Sequence, residues 1–221
     1  MFAQTMLLTF KLAFWTTLIL LPIGILLGFF LYRAKNVWKI CIEVLIWLPL
    51  VLPPTVLGFY LLILFSPNGF LGKFLLAHWD LKLVFSFEGI LIASVIFGLP
   101  FMVNPIKSGL QSLPPQLEEA SFMLGRGRME TLFLVLLPNI KPSILLACMG
   151  TFVHAIGEFG VVMMIGGNIQ GETRLASIAL YDEVEALNYA LAHQYALSLF
   201  AVSAGLLFVI LWINKRYLET H

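Results

Sequence analysis

His154 and Glu158 stand four residues apart in a long apolar stretch and are its most conspicuous ionisable side chains. An i,i+4 spacing lets two side chains meet on one helix face, so the pair can hydrogen-bond or pass a proton. A carboxylate at membrane depth is costly and points to function by default. Nothing completes a catalytic or metal-binding set around it, however. His78, His193 and His221 fall in loops, at a span edge or at the terminus, and His-Glu-x-x-His does not occur. An intramembrane enzyme is therefore a remote alternative, and no catalytic residue or metal ligand is assigned. With no such set completed, Glu158 is expected to take a structural role, bonding helix termini near its end of the span. Gly-x-x-x-x-Gly-Lys-Ser/Thr is missing as well, so any ATP chemistry would belong to another chain.

A second suggestive stretch runs from Leu113 to Pro138. Pro115 suits a first helical position, and Gln116, Glu118 and Glu119 place acceptors and negative charge against the N-terminal dipole. Gly125 then ends the helix. Leu117, Ala120, Ser121 and Leu124 should share one face, its small centre allowing a second surface to approach closely. Glu119 can pair with a basic group on that surface. The alternative is an interfacial helix packed on its own bundle.

The elements that must carry these residues are membrane spans. Of 221 residues, 60% are hydrophobic and 11% charged, and mean hydropathy is +0.96, far from the balance of a soluble domain. Five apolar runs predict an all-α polytopic membrane protein with spans near 7–32, 40–65, 84–106, 132–165 and 195–213, a single transmembrane domain over 1–221. The first run lacks the features of a cleaved signal and counts as a retained span. The fourth is too long for one straight helix, and Pro138 and Pro142 place the spanning part from about 142 onward. Between the fourth and fifth spans, 175–187 reads as an amphipathic or re-entrant helix, or an ordinary surface helix.

Charge sets direction. Arg33, Lys35, Lys39, Lys107, Arg126, Arg128, Lys141, Lys215 and Arg216 fall on one side, and Lys11, Lys73, Lys82 and Arg174 share the other with Asp182, Glu183 and Glu185. The first side is expected to be cytoplasmic, with the N-terminus outside and the C-terminus inside. A net charge of +1 with no basic stripe excludes a nucleic-acid surface. Cys41 and Cys148 read as buried packing thiols. Glu43 is expected near the cytoplasmic boundary, within reach of water.

Glu119-Ala120-Ser121, then Gly125, then Val135-x-Leu137-Pro138 resembles the EAA loop of ABC-importer permeases, with Ser121 for the usual second Ala and Val135 for the usual Ile. The resemblance implies a coupling loop over about 107–138 in which Glu118, Glu119, Ala120, Ser121, Leu124, Gly125, Arg126 and Pro138 meet a cytoplasmic ATPase. Two further stretches, 48–60 and 157–173, are similar to molybdate (tungstate) permeases, and sulfate or thiosulfate permeases are the nearest relatives. The family implies a homodimer in a prokaryotic inner membrane, two ABC ATPase subunits that hold ATP and Mg, and an extracytoplasmic oxyanion-binding protein. No cofactor is expected in this chain. With almost no Lys or Arg at membrane depth, the path would be lined by weak donors, Thr55, Ser94, Asn104, Thr151 and Asn168, with Pro53, Pro54 and Glu158 at its gates.

Overall fold

A computed structural model describes residues 1–35 and 37–219, and the side chains of all these except 210 and 213–219. The side chains of Lys215 and Arg216, and His221 as a whole, lie outside the described residues. The described chain is helical. It opens with α1 (Phe2–Arg33), α2 (Val37–Val51), α3 (Pro54–Phe65), α4 (Phe70–Trp79) and α5 (Phe87–Ser112). There follow α6 (Pro115–Met123), α7 (Arg128–Thr131), a π-helical turn over Leu132–Leu136 and α8 (Leu137–Asn139). The remainder is α9 (Lys141–Gly157), α10 (Gly160–Gly166), α11 (Ala176–Glu185) and α12 (Tyr189–Glu219).

The centre is a packed trio of α1, α5 and α9. Along α1, Leu12, Thr16, Leu20, Gly24 and Gly28 are buried at every fourth position, the ridge that fits a neighbouring helix groove. Met102 and Ile106 of α5 fill the space above Gly24, where a Cβ would sit 2.3 Å from Met102 Cγ. One apolar cluster joins Leu61 and Phe65 of α3 to Ile90 and Phe97 of α5 and Val161 and Ile165 of α10. A second joins Leu20, Met102 and Ile106 to Leu132 and Leu136 of the π turn. α12 packs on α9 and α11 and leaves Phe200, Leu207 and Leu211 exposed, as a lipid-facing helix does.

Three helices, α1, α5 and the Tyr189–Val209 part of α12, are long and apolar enough to cross a membrane, and two bent pairs bring the number to five. The bends fall in the second and fourth spans, at the prolines that interrupt both in the sequence. In the second, α2 and α3 meet at 109°. Pro53 caps α3 and Pro54 opens it, so neither supplies an N–H to continue α2. The fourth begins at Lys141 after an approach of Arg128–Asn139 inclined by 81°, and stops at Gly157 with α10 beyond. The wide π turn precedes Pro138, whose missing N–H leaves the helical ladder one donor short. Helix α4 was not foreseen, its apolar residues Phe70, Phe74 and Trp79 being interrupted by Lys73 and His78. Cys41 is exposed on α2 instead of buried, and Cys148 is half-buried.

Side-chain pairs establish the two ends of the bundle. At one end Arg33 of α1 pairs with Glu118 of α6, and Lys107 of α5 with Glu43 of α2 at 2.6 Å. At the other, the Ala176 amide of α11 donates to Thr9 Oγ1 of α1 at 2.8 Å. The acidic cluster collects there too, with Arg174 3.2 Å from Asp182 and 3.6 Å from Glu183.

Candidate functional site

Helix α6 is nine residues long with Pro115 in its first turn. Gly125 adopts φ 77°, a left-handed turn that a side chain would strain. The face presented outward differs from the expected one. Ser121 is buried, its Oγ 2.9 Å from Thr131 Oγ1, and Glu118 turns inward to bond Arg33 and the Tyr32 hydroxyl. Glu119, Ala120, Met123, Leu124, Gly125 and Arg126 stay exposed, Met123 at 88% and Leu124 at 79%. The EAA positions thus divide between anchoring the helix to its own bundle and presenting a carboxylate beside a small residue and two apolar ones. Pro138 is exposed and shapes the approach to α9. Arg33, Tyr32 and Thr131, which anchor α6, gave no signal in the sequence, because their partners lie up to 86 residues away.

The two interrupted spans meet. A Cβ on Gly160 would lie 2.9 Å from Pro54 Cβ and 3.4 Å from the Thr55 amide nitrogen, and one on Gly58 would lie 3.1 Å from Val161 Cα. The Pro53-Pro54-Thr55 break and the Gly157-Glu158-Phe159-Gly160 break are stacked, with α3 running along α10. Glu158 is the C-terminal cap residue of α9, so it does not share a helix face with His154 and the expected pairing is absent. Its carboxylate accepts from Ser94 Oγ of α5, and its carbonyl accepts from Ser177 Oγ of α11 at 2.6 Å. The carboxylate thus meets a hydroxyl within α5, and it is the backbone carbonyl of Glu158 that reaches the first turn of α11. His154 stacks on Phe101, centroids 4.0 Å apart, and lies near Phe97.

The residues expected to line a path are scattered. Thr151 is fully buried and Glu158 and Ser94 nearly so, in the seam between α5 and α9. Asn168 donates to Asp182 Oδ2 at 2.8 Å, an outer-end contact. Pro53, Pro54 and Thr55 are exposed at the mouth of α3. An open cleft of about 360 Å³ instead lies among Trp47, Leu50, Pro100, Phe101, Asn104 and Leu146. Asn104 is the polar side chain on that wall that the sequence reading had proposed. The cleft is lined by residues of α2, α5 and α9.

A bundle of crossing helices with two broken spans, and a short helix at one end, define a multi-pass membrane protein. The chain belongs to the family of binding-protein-dependent transport system inner membrane components, whose model matches residues 20–219. It is a transport component and not an enzyme. It is 39% identical to the molybdenum transport system permease protein of Azotobacter vinelandii over 95% of this chain and 92% of that protein. It is 34% identical to the sulfate transport system permease protein of Salmonella typhimurium over 88% and 70%. Among solved structures, a bacterial alginate ABC transporter in complex with an alginate-bound periplasmic protein superposes with TM-score 0.80 at 17% identity, covering 98% of this chain and 79% of that one. An inward-facing methionine ABC transporter superposes with TM-score 0.69 at 18% identity over 96% and 92%. These two likenesses establish the ABC-importer permease fold.

Proposed function

We propose that this chain is the permease subunit of an ATP-driven importer that carries molybdate, or tungstate, into the cytoplasm. The observation that carries the reading is the near full-length match to a molybdenum permease. Two copies would face each other across the cleft beside Asn104, each engaging one ATPase subunit through α6, and an extracytoplasmic binding protein would deliver the oxyanion. ATP and Mg belong to the ATPase. The excess of basic residues at the end bearing Arg33, Lys107 and α6 supports a cytoplasmic location for that end, with the N-terminus outside.

Closure of the ATPases would pull on Glu119, Met123 and Leu124. The pull passes through the Ser121–Thr131 contact into α7 and α9, and through Glu118–Arg33 into α1, so both central helices receive it. Tilting α9 moves its Gly157–Gly160 end against Pro54, shifting α3 and opening the path outward. Apolar walls and neutral donors suit a cargo that must be released as readily as it enters. Tight recognition falls to the binding protein.

The test is ATP hydrolysis by the reconstituted permease, ATPase and binding protein, compared across molybdate, tungstate and sulfate. Stimulation by molybdate or tungstate, lost in Glu119→Lys, is the expected result. Stimulation by sulfate alone would move the cargo to the class of the 34% identical relative. Hydrolysis indifferent to Glu119→Lys would remove the coupling role of α6.

A further inference from the structure

A groove of about 560 Å³ lies at the Arg33 end of α1, outside both the central cleft and the exposed face of α6. Leu26, Phe29, Phe30 and Met129 make its apolar wall, and Arg33 and Arg128 its rim. Leu26 lies seven residues, about 10 Å along the helix, before Arg33. Apolar surface at that depth beneath cations suits a phospholipid, acyl chain below and headgroup above. Leu26 and Phe30 are 52% and 45% exposed, so an acyl chain has a surface to cover.

Arg33 is held for such a role. Its guanidinium carbon lies 5.5 Å from the Phe29 ring and 5.7 Å from the Phe122 ring. Glu118 engages Nη1, and a guanidinium carries five N–H donors, so others remain. Arg128 is exposed and forms no ion pair among the described residues. Glu118 and Glu130 are the nearby acids; Glu118 is committed to Arg33, and Glu130 Oε2 accepts from the Gly127 amide at 3.1 Å. Lys35, also exposed, adds a further positive charge two residues from Arg33.

We propose that this groove is a binding site for an anionic phospholipid, its phosphate between Arg33 and Arg128 and its acyl chain along Leu26 and Phe30. The proposal rests on the cytoplasmic placement of this end, where the anionic leaflet surface attracts basic groups. Because Arg33 also anchors Glu118, a lipid there would brace the docking helix from behind. The acidic headgroup would then be a structural requirement for coupling, distinct from the transported anion.

The experiment counts lipid adducts by native mass spectrometry on the full-length permease, alone and with its ATPase, after titration with phosphatidylglycerol or phosphatidylcholine. Phosphatidylglycerol should be retained preferentially in both samples. Arg128→Gln should cut that retention about fivefold, the contribution of one basic side chain near an anionic surface, and Arg128→Lys should restore most of it. Arg128 is exposed and unpaired, so its loss leaves the fold intact, which a thermal melt checks. Equal retention of the two lipids, or no effect of Arg128→Gln, overturns the site. Displacement by inorganic phosphate would make it a free-oxyanion site, and displacement by the ATPase would assign the groove to that subunit; either result also overturns the lipid. The count needs no cargo, so it stands or falls separately from molybdate-stimulated hydrolysis.

Discussion

Adjacent carboxylates on α6 have separate tasks because successive helical positions point about 100° apart. Glu118 meets Arg33 and Tyr32, whereas Glu119 meets solvent. A partly exposed ion pair contributes about 0.2–1 kcal/mol, so Glu118→Gln should lower the thermal midpoint slightly. Glu119→Lys should leave the midpoint unchanged while abolishing stimulated ATP hydrolysis. Side by side, the two melts and the two activity assays separate anchoring from docking. Deeper in the bundle, Ser94 is the hydroxyl that satisfies one Glu158 oxygen, and the other has no protein partner. Ser94→Ala would leave the whole carboxylate unsatisfied and should cost about 1–3 kcal/mol in an unfolding titration. Glu158→Gln keeps an acceptor for Ser94 and should cost less; no loss on Ser94→Ala would mean that the Ser94 contact contributes nothing.

At the scale of elements, the stacked breaks are the tightest feature. A methyl group on Gly160 collides with Pro54, whereas one on Gly157 meets nothing within 4 Å. Gly160→Ala should therefore destabilise by about 1–3 kcal/mol and slow transport, and Gly157→Ala should do neither, as read by thermal melts and uptake into vesicles. The sequence made much of this level legible. Span count, the start of α9 near Pro142, the helix at Pro115 and its Gly125 stop, and the helix near 175–187 all follow from apolar run length and from proline and glycine chemistry. Where prolines interrupt a span could be read, but the angle between the halves could not, since α10 sets it from a hundred residues away. Spacing alone also misled for His154 and Glu158, because it assumes a helix continuing past Gly157. The outward face of α6 was misassigned for a related reason: which side of a short amphipathic helix is buried depends on where Thr131 and Arg33 lie.

For the whole molecule, polarity of insertion is the property most open to direct test. With Cys41 and Cys148 replaced by Ser, a cysteine at exposed Gln170 should react with a membrane-impermeant maleimide in intact cells. One at Leu124, 79% exposed, should react only after permeabilisation. The reverse pattern would invert the chain and remove the cytoplasmic assignment of α6. α6 hangs on α1 through Arg33 and on the approach to α9 through Thr131, and those helices pack on α5, so under the proposed mechanism a pull on α6 would reach all three.

The seat of α3 on α10 also bears on how the protein is made. Twelve residues of α3 extend about 18 Å, short of the ~30 Å hydrocarbon core. Its buried side, Gly58 and Leu61, fits against residues of α10 that leave the ribosome roughly a hundred positions later. Until then the second span rests on earlier elements, Ile46 of α2 lying beside Leu31 of α1 and Val103 of α5, while the α10 side of α3 has no protein partner. The seat of α3 is therefore completed late in biogenesis, only once the fourth span and α10 have been made.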